Sequence, residues 1–316
     1  MSFSFLEETA FQYWAQLDCP TSLALTILAR SGQWAEVLTF KVVPKNFACA
    51  ISYAKANAAV AFLKKNPFIK GASSDSRRAA CQASWKSGEA SCYRANERIS
   101  PYLISPLSDD MHAKFLRVAR RYLLEWLGPC PDDLPESPEV VTKLMKLGYR
   151  PKKSLVDYAR HGPGTTLSSS VANPTAADKY DDTITLTRGA QFYLWNLADT
   201  QWFSCLLKRA DRLGVAPREC ISFSRGNRFT TVPKTAITDR GIAIECSLNV
   251  YFQLSLGSAI RSSLRRRAGW DLDNAASIHR EMARKASIDG SFATLDLSNA
   301  SDSLCKNLVR VLLRDT

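Results

Sequence analysis

Apolar residues recur three or four apart along much of this chain, the spacing of one helix face. Residues 50–63 (AISYAKANAAVAFL) are Ala-rich and predict a helix. Residues 70–100 are rich in Ser, Arg and Cys and read as helix broken by loops. From Ser108 to Trp126 the pattern is amphipathic, with Phe115, Val118, Tyr122 and Trp126 on one stripe. Ser108 is its expected cap, Asp109 and Asp110 fall in its first turn, and Gly128-Pro129 stops it. The Pro-rich run 128–138 is a loop or boundary, followed by a short helix to Leu147, closed by Gly148. His161-Gly162-Pro163-Gly164 opens a polar loop that extends to about Asp182. Helix returns over 190–213, where Phe192, Trp195, Ala198, Trp202 and Leu206 share a face.

At Ser222 the pattern changes. Residues 222–232 (SFSRGNRFTTV) predict a hairpin turning at Gly226-Asn227, and 241–245 (GIAIE) a short strand. Asn249 to Arg266 predicts a helix with Phe252, Leu256, Ile260 and Leu264 inward. Ser287–Ser291 reads as a turn, Phe292–Leu297 as a strand and Ser301–Leu313 as a last helix. The expected class is α+β with helix in excess. No internal repeat occurs.

With 316 residues, of which 46% are hydrophobic, the chain can bury a real core and general disorder is excluded. Lys and Arg number 42 against 30 acids, a net charge of +12 that favours a polyanionic partner. The excess is local. Arg225, Arg228, Lys234 and Arg240 face only Asp239, and Arg261, Arg265, Arg266 and Arg267 meet no acid before Asp271. Another basic region spans Lys64 to Arg98. Nine cysteines include no CxxC pair, and with three histidines a zinc site is not indicated. Reduced thiols in a cytosol fit this usage. No apolar run is long enough for a spanning helix, and the N-terminus lacks signal-peptide character.

Two segments carry candidate chemistry. In 292–303 (FATLDLSNASDS), a strand would place Asp296 at its end and a small-residue turn would bring Asp302 into the next helix. Paired carboxylates at such a junction suit Mg²⁺. Taken alone, Asp302 could equally serve a helix dipole and Asp296 be an incidental strand-end acid. Upstream, Arg225, Arg228, Lys234 and Arg240 offer the point charges and forks that triphosphates attract, or else form a solvated basic surface. Tyr180-Asp181-Asp182 offers two adjacent carboxylates as a decoy metal motif, but its loop-like approach argues for a solvated loop. His161 has no Ser or Cys partner that the sequence can show and reads as a loop residue.

Val232-Pro233-Lys234, followed by Thr238-Asp239-Arg240 and Ile242–Glu245, resembles the basic fingers motif, motif F, of RNA-bacteriophage replicases. Residues 294–303 (TLDLSNASDS) resemble the family's palm motif A in order and spacing, and HGPGTT at 161–166 adds weaker support. The resemblance implies an RNA-dependent RNA polymerase of right-hand architecture. Residues 1–150 would be an N-terminal, mainly helical region, 151–280 fingers containing motif F (225–245), and 281–316 the start of a palm. It implies that Asp296 ligates two Mg²⁺ ions, with the Leu297 carbonyl available to one. Lys234 and Arg240 would neutralise the NTP triphosphate, Asp302 would sense the ribose 2′-OH, and Arg225 and Arg228 would touch RNA or NTP. Implied partners are RNA template and product, NTPs, and the host elongation factors Tu and Ts with a small-subunit ribosomal protein. The implied setting is the cytoplasm of an infected bacterium, with no membrane. No Gly-Asp-Asp motif occurs, and the sequence ends fourteen residues after Asp302, before motif B. The chain is therefore expected to be an incomplete polymerase, inactive alone. The alternative is a non-catalytic RNA-binding protein.

Overall fold

A computed structural model describes residues 4–69, 71–104, 110–128, 156, 158–293, 295, 297 and 299–314. The chain forms two compact units, one of residues 1–89 with 229–242, the other of 90–228 with 243–316.

The first unit is helical. Its helices are α1 (Phe5–Leu17), α2 (Pro20–Arg30), α3 (Trp34–Thr39), α4 (Ala50–Lys64) and the first half of α5 (Ser74–Ile104). Ser4 caps α1 in a reciprocal box with Glu7, and Pro20 occupies the first turn of α2, where its missing N–H costs nothing. The core joins Trp14, Leu25, Trp34, Leu38 and Leu63, and the Trp14 indole donates to the Ala59 carbonyl at 2.9 Å. Helix α5 is continuous for 31 residues, not the broken helix expected. Scattered Ser and the single Gly88 cost only about 1 kcal/mol or less each, and Pro101 lies near its C-terminal end.

In the second unit, β1 (Ile184–Thr187) pairs in parallel with β2 (Ile221–Ser224), Leu186 opposite Phe223. This overturns the hairpin expected at Gly226-Asn227. Residues 221–224 find their partner 37 positions upstream, and Arg225-Gly226 forms a bend instead. The connection between β1 and β2 contains α8 (Tyr193–Leu197) and α9 (Gln201–Leu213). The single helix expected over 190–213 is divided because Thr200 turns both its amide and its hydroxyl onto the Leu197 carbonyl, at 2.9 and 2.7 Å. Another short helix, α7 (Ala176–Asp181), starts at a Thr175–Asp178 capping box inside the stretch expected to be loop.

Helix α10 (Ser247–Ala268) closes this core. Its buried face is Leu248, Tyr251, Phe252 and Ser255, whereas Leu256 is exposed, so the inward stripe is rotated from the expected one. The start of α10 also covers the open side of β1. The Thr185 amide donates to Ser247 Oγ at 2.9 Å and the Thr187 amide to Asn249 Oδ1 at 3.1 Å. Side chains thus satisfy strand amides that lack a neighbouring strand.

Helix α6 (Met111–Leu127) is capped by Asp110, which accepts from the Ala113 amide at 2.8 Å, and ended by Gly128 at φ +90°. Its stripe of Phe115, Val118 and Tyr122 is exposed, contrary to expectation, while Ala113 is buried. Ala113, Leu116 and Arg120 instead line a small cavity with Val311 of α12 (Lys306–Leu312). A helix not anticipated, α11 (Ala275–Asp289), ends at Gly290 and buries no residue among its turns. Positions 108, 109 and 129–148, including the expected cap and short helix, lie outside the described residues.

Candidate functional site

Strands β3 (Arg228–Pro233) and β4 (Asp239–Ile244) pair with each other. Their connection, residues 234–238, is too short for a parallel crossover and forces an antiparallel return. The turn of this basic hairpin is therefore Lys234–Thr238, eight residues beyond the expected Gly226. Thr235 organises it. Its amide donates to the Thr238 carbonyl at 2.9 Å, and its hydroxyl accepts from the Thr238 amide at 3.0 Å.

Three contacts hold the hairpin in the first unit. Ala236 is buried in the helical core and its amide donates to the Lys64 carbonyl at 2.9 Å. Phe229 lies 4.8 Å from the Trp85 ring, and Gly241 passes beneath it where a Cβ would come within 2.8 Å of the ring edge. Asp239 is buried in an ion pair with Arg77 of α5 at 3.0 Å, and Arg77 also donates to the Pro67 carbonyl at 2.7 Å. Lys234 immediately follows β3 and Arg240 is the second residue of β4; both are exposed. Neither has an ion pair among the described residues. The one acid within the hairpin is occupied by a distant arginine, so the field of Lys234 and Arg240 faces solvent uncompensated by it.

Arg225 and Arg228 belong to the second unit and are also exposed. They stand on either side of Gly226-Asn227, where Asn227 Nδ2 donates to Glu245 Oε1 at 2.9 Å.

Asp296, Thr294 and Ser298 lie outside the described residues. The described neighbours Phe292, Ala293, Leu295 and Leu297 are not in a strand, which corrects the expectation for 292–297. A strand exists only by pairing, and no described segment pairs with these positions. Leu297 is exposed. Asn299 adopts φ +54°, a left-handed conformation that Asn tolerates better than most residues. Asp302 sits in a 3-10 turn, Ser301–Ser303, rather than in the first turn of a long helix, because α12 starts only at Lys306. Its carboxylate is exposed, and its carbonyl accepts from Cys92 Sγ at 3.1 Å. Asn96 anchors the same segment. Asn96 Oδ1 accepts from the Asn307 amide at 2.8 Å, and its carbonyl accepts from Asn307 Nδ2 at 3.0 Å.

No group of three or more His, Cys, Asp or Glu side chains among the described residues could hold a metal ion. The described donors by themselves therefore do not fit a two-metal centre. Asp181, half of the decoy motif, ends α7 and is held by Arg212 at 2.6 Å, with Arg209 at 3.9 Å, rather than lying in a solvated loop. Burial pushes the Asp182 carboxyl up from its ordinary range, while Ser170 donates to it at 3.2 Å. The Thr175–Asp178 capping box was the sequence signal that this stretch is helical.

His161 is not a plain loop residue. Tyr180, Trp202 and Tyr251 surround it at ring separations of 4.6, 4.4 and 4.9 Å, and neither ring nitrogen has a hydrogen-bond partner. Burial, reinforced by the Lys179 charge, lowers its pKa to about 4. No sequence spacing foretells a cage drawn from positions 180, 202 and 251.

Among the described residues, no helix is long and apolar enough to cross a membrane. The family model described as RNA replicase, beta-chain, matches residues 35–316. The RNA-directed RNA polymerase subunit beta of Enterobacteria phage SP is 44% identical over 88 residues, 28% of this chain and 15% of that protein. The corresponding subunit of Escherichia virus Qbeta is 43% identical over 88 residues, 28% of this chain and 14% of the relative. The RNA-directed RNA polymerase beta chain of Enterobacteria phage GA is 48% identical over 88 residues, 28% and 16% respectively. The aligned stretch thus spans about 15% of the length of these relatives. With its basic hairpin and a family match that runs through most of its length, this chain belongs to the RNA replicase beta-chain family.

Proposed function

We propose that this chain is part of an RNA-directed RNA polymerase that copies a phage RNA genome in an infected bacterium. In this reading, residues 1–150 form an N-terminal helical region, 151–280 the fingers and 281–316 the opening of a right-hand palm. The observation that carries it is the hairpin at 228–244. Lys234 and Arg240 are exposed, and the acid between them is sequestered by Arg77. A lone ammonium and a guanidinium fork, free of local carboxylates, suit a triphosphate.

The reaction is nucleotidyl transfer. The RNA 3′-hydroxyl gives up its proton to solvent as its oxygen forms a bond to the NTP α-phosphorus, and the bond to the α–β bridging oxygen breaks, releasing pyrophosphate. Lys234 and Arg240 hold the triphosphate and steady the charge that develops on the leaving group. Asp302 reads the ribose 2′-OH, which only RNA precursors carry. Arg225 and Arg228 contact RNA or NTP. A polymerase of this kind works with a divalent metal, and Asp296 with the Leu297 carbonyl are the groups this chain would offer to Mg²⁺. The relatives' names mark them as beta subunits or chains, and we take this chain as one component of a larger replicase. Elongation factors Tu and Ts and a small-subunit ribosomal protein are the host components that the family resemblance suggests.

The test is binding of fluorescent ATP to the full chain. Lys234→Ala with Arg240→Ala is expected to weaken it tenfold or more while leaving thermal stability unchanged. Undiminished ATP binding by the double variant would remove the support for the reading. RNA binding without any ATP binding would favour the non-catalytic RNA-binding protein. Residues 1–316 alone are expected not to extend an RNA primer, because Asp296 is the single acid assigned to metal. Magnesium-dependent extension by this chain would refute that part.

A further inference from the structure

A groove of about 720 Å³ opens in the second unit between residues 158–160, α10 and residues 271–273. Arg160, Arg261 and Arg265 line it, together with Ser258, Ser262 and Tyr158. The two helix arginines are four residues apart, hence on one face and about 6 Å apart along the axis. That separation is of the order of the distance between successive phosphates on a single strand.

The arginines are only lightly engaged. Arg261 meets Asp273 at 3.1 Å and Arg265 meets Asp271 at 3.7 Å. Both guanidinium groups are more than half exposed, and exposed pairs of this kind contribute little stability and exchange readily with other anions. Arg160 gives one hydrogen bond, to Ser258 Oγ at 3.2 Å, and has no ion pair among the described residues. Most of its five donors remain for a ligand. A mononucleotide site draws its cations to one point. Here two of them follow one another along α10 with Arg160 apart from them on residues 158–160, and the half-exposed Tyr158 ring is available for a base to stack on.

We infer that this groove seats the sugar-phosphate backbone of single-stranded RNA, with Arg160, Arg261 and Arg265 on its phosphates and Asp271 and Asp273 as the acids that phosphates displace. The inference rests on the polymerase reading only in its choice of nucleic acid, and it concerns residues that reading does not use.

The experiment measures binding of a fluorescein-labelled single-stranded RNA dodecamer to the full chain by anisotropy across a series of KCl concentrations. Arg261→Gln with Arg265→Gln is expected to weaken binding about tenfold or more. Losing two phosphate contacts should also flatten the slope of log K against log salt by about 1.4. Asp273→Asn is expected to act oppositely, tightening binding about twofold, a result that damage to the fold would not produce. Wild-type affinity and slope in the arginine variant, with native circular dichroism, would overturn the inference. So would full displacement of the RNA by ATP at equal phosphate concentration, since that marks a nucleotide site. Equal RNA binding by all variants removes the groove but leaves the polymerase reading intact. Absence of any RNA binding by the wild-type chain defeats both.

Discussion

Arg77 and Asp239, 162 residues apart in sequence, form an ion pair at 3.0 Å with side chains only 6% and 7% exposed. The contact ties the turn end of the basic hairpin to α5 and removes the hairpin's own acid from the surface. Breaking a buried pair leaves an uncompensated charge, which costs about 3–5 kcal/mol. Asp239→Asn is therefore expected to lower unfolding stability by about 3 kcal/mol in urea at neutral pH. The double change Arg77→Met with Asp239→Leu should cost less than the single one. An unchanged urea midpoint for Asp239→Asn would mean that the pair does not anchor the hairpin.

Gly241 leaves room for the Phe229 ring, which lies tilted against Trp85. Valine at 241 would drive a branched side chain into that ring and displace it. The expected loss is about 1–3 kcal/mol, accompanied by a change in Trp85 fluorescence. A Gly241→Val protein with native emission and stability would show that the ring has another place to go.

His161 makes stability depend on pH. Its folded pKa, about 4, lies below the ordinary value of 6.5. Between these two values the unfolded chain binds the proton and the folded chain does not, so stability rises with pH across this window. It is level above about 6.5 and falls on acidification toward 4. His161→Phe keeps an aromatic ring in the cage and removes the titrating group. The variant should lose this part of the acid dependence while remaining folded at pH 7. Thermal melts between pH 4 and 7 that are superimposable for the two proteins would contradict the assignment.

Asn96 holds Asn307 through both its amide oxygen and its carbonyl, next to the turn that bears Asp302. Asn96→Leu leaves the Asn307 amide without its acceptor, at a cost of about 1–3 kcal/mol. Faster hydrogen exchange confined to residues 299–312 is the expected signature. Exchange unchanged there would show that α12 keeps its position without this bond.

Much of the helical pattern was legible because local spacing and end signals act within one element. Ala50–Lys64 follows from its Ala-rich composition, Ser247–Ala268 from periodicity, and the stop at Gly128 from its left-handed preference. The faces were less legible. Phe115, Val118 and Tyr122 form an apolar stripe whichever way it turns, and the neighbours that pack against Ala113 and Leu116 decide the direction. Strand pairing at Gly226-Asn227 was illegible for the same reason, since Ile221–Ser224 meets Ile184–Thr187 only through the intervening helices that fold back. At the candidate site, the cations at 225, 228, 234 and 240 were visible as an unbalanced charge run. The partner that consumes Asp239 was not.

By itself the sequence determined the family, the excess of positive charge, and which segments are able to form helices, because these depend on residue identity and short-range order. Only the tertiary structure decided which charges remain free. Arg77 and Asp239 cancel each other inside the first unit, His161 is stripped of solvent by rings from three distant segments, and Lys234 and Arg240 are left facing water. Burial and pairing are properties of side chains brought together across long separations, and a linear chain carries no local mark of them.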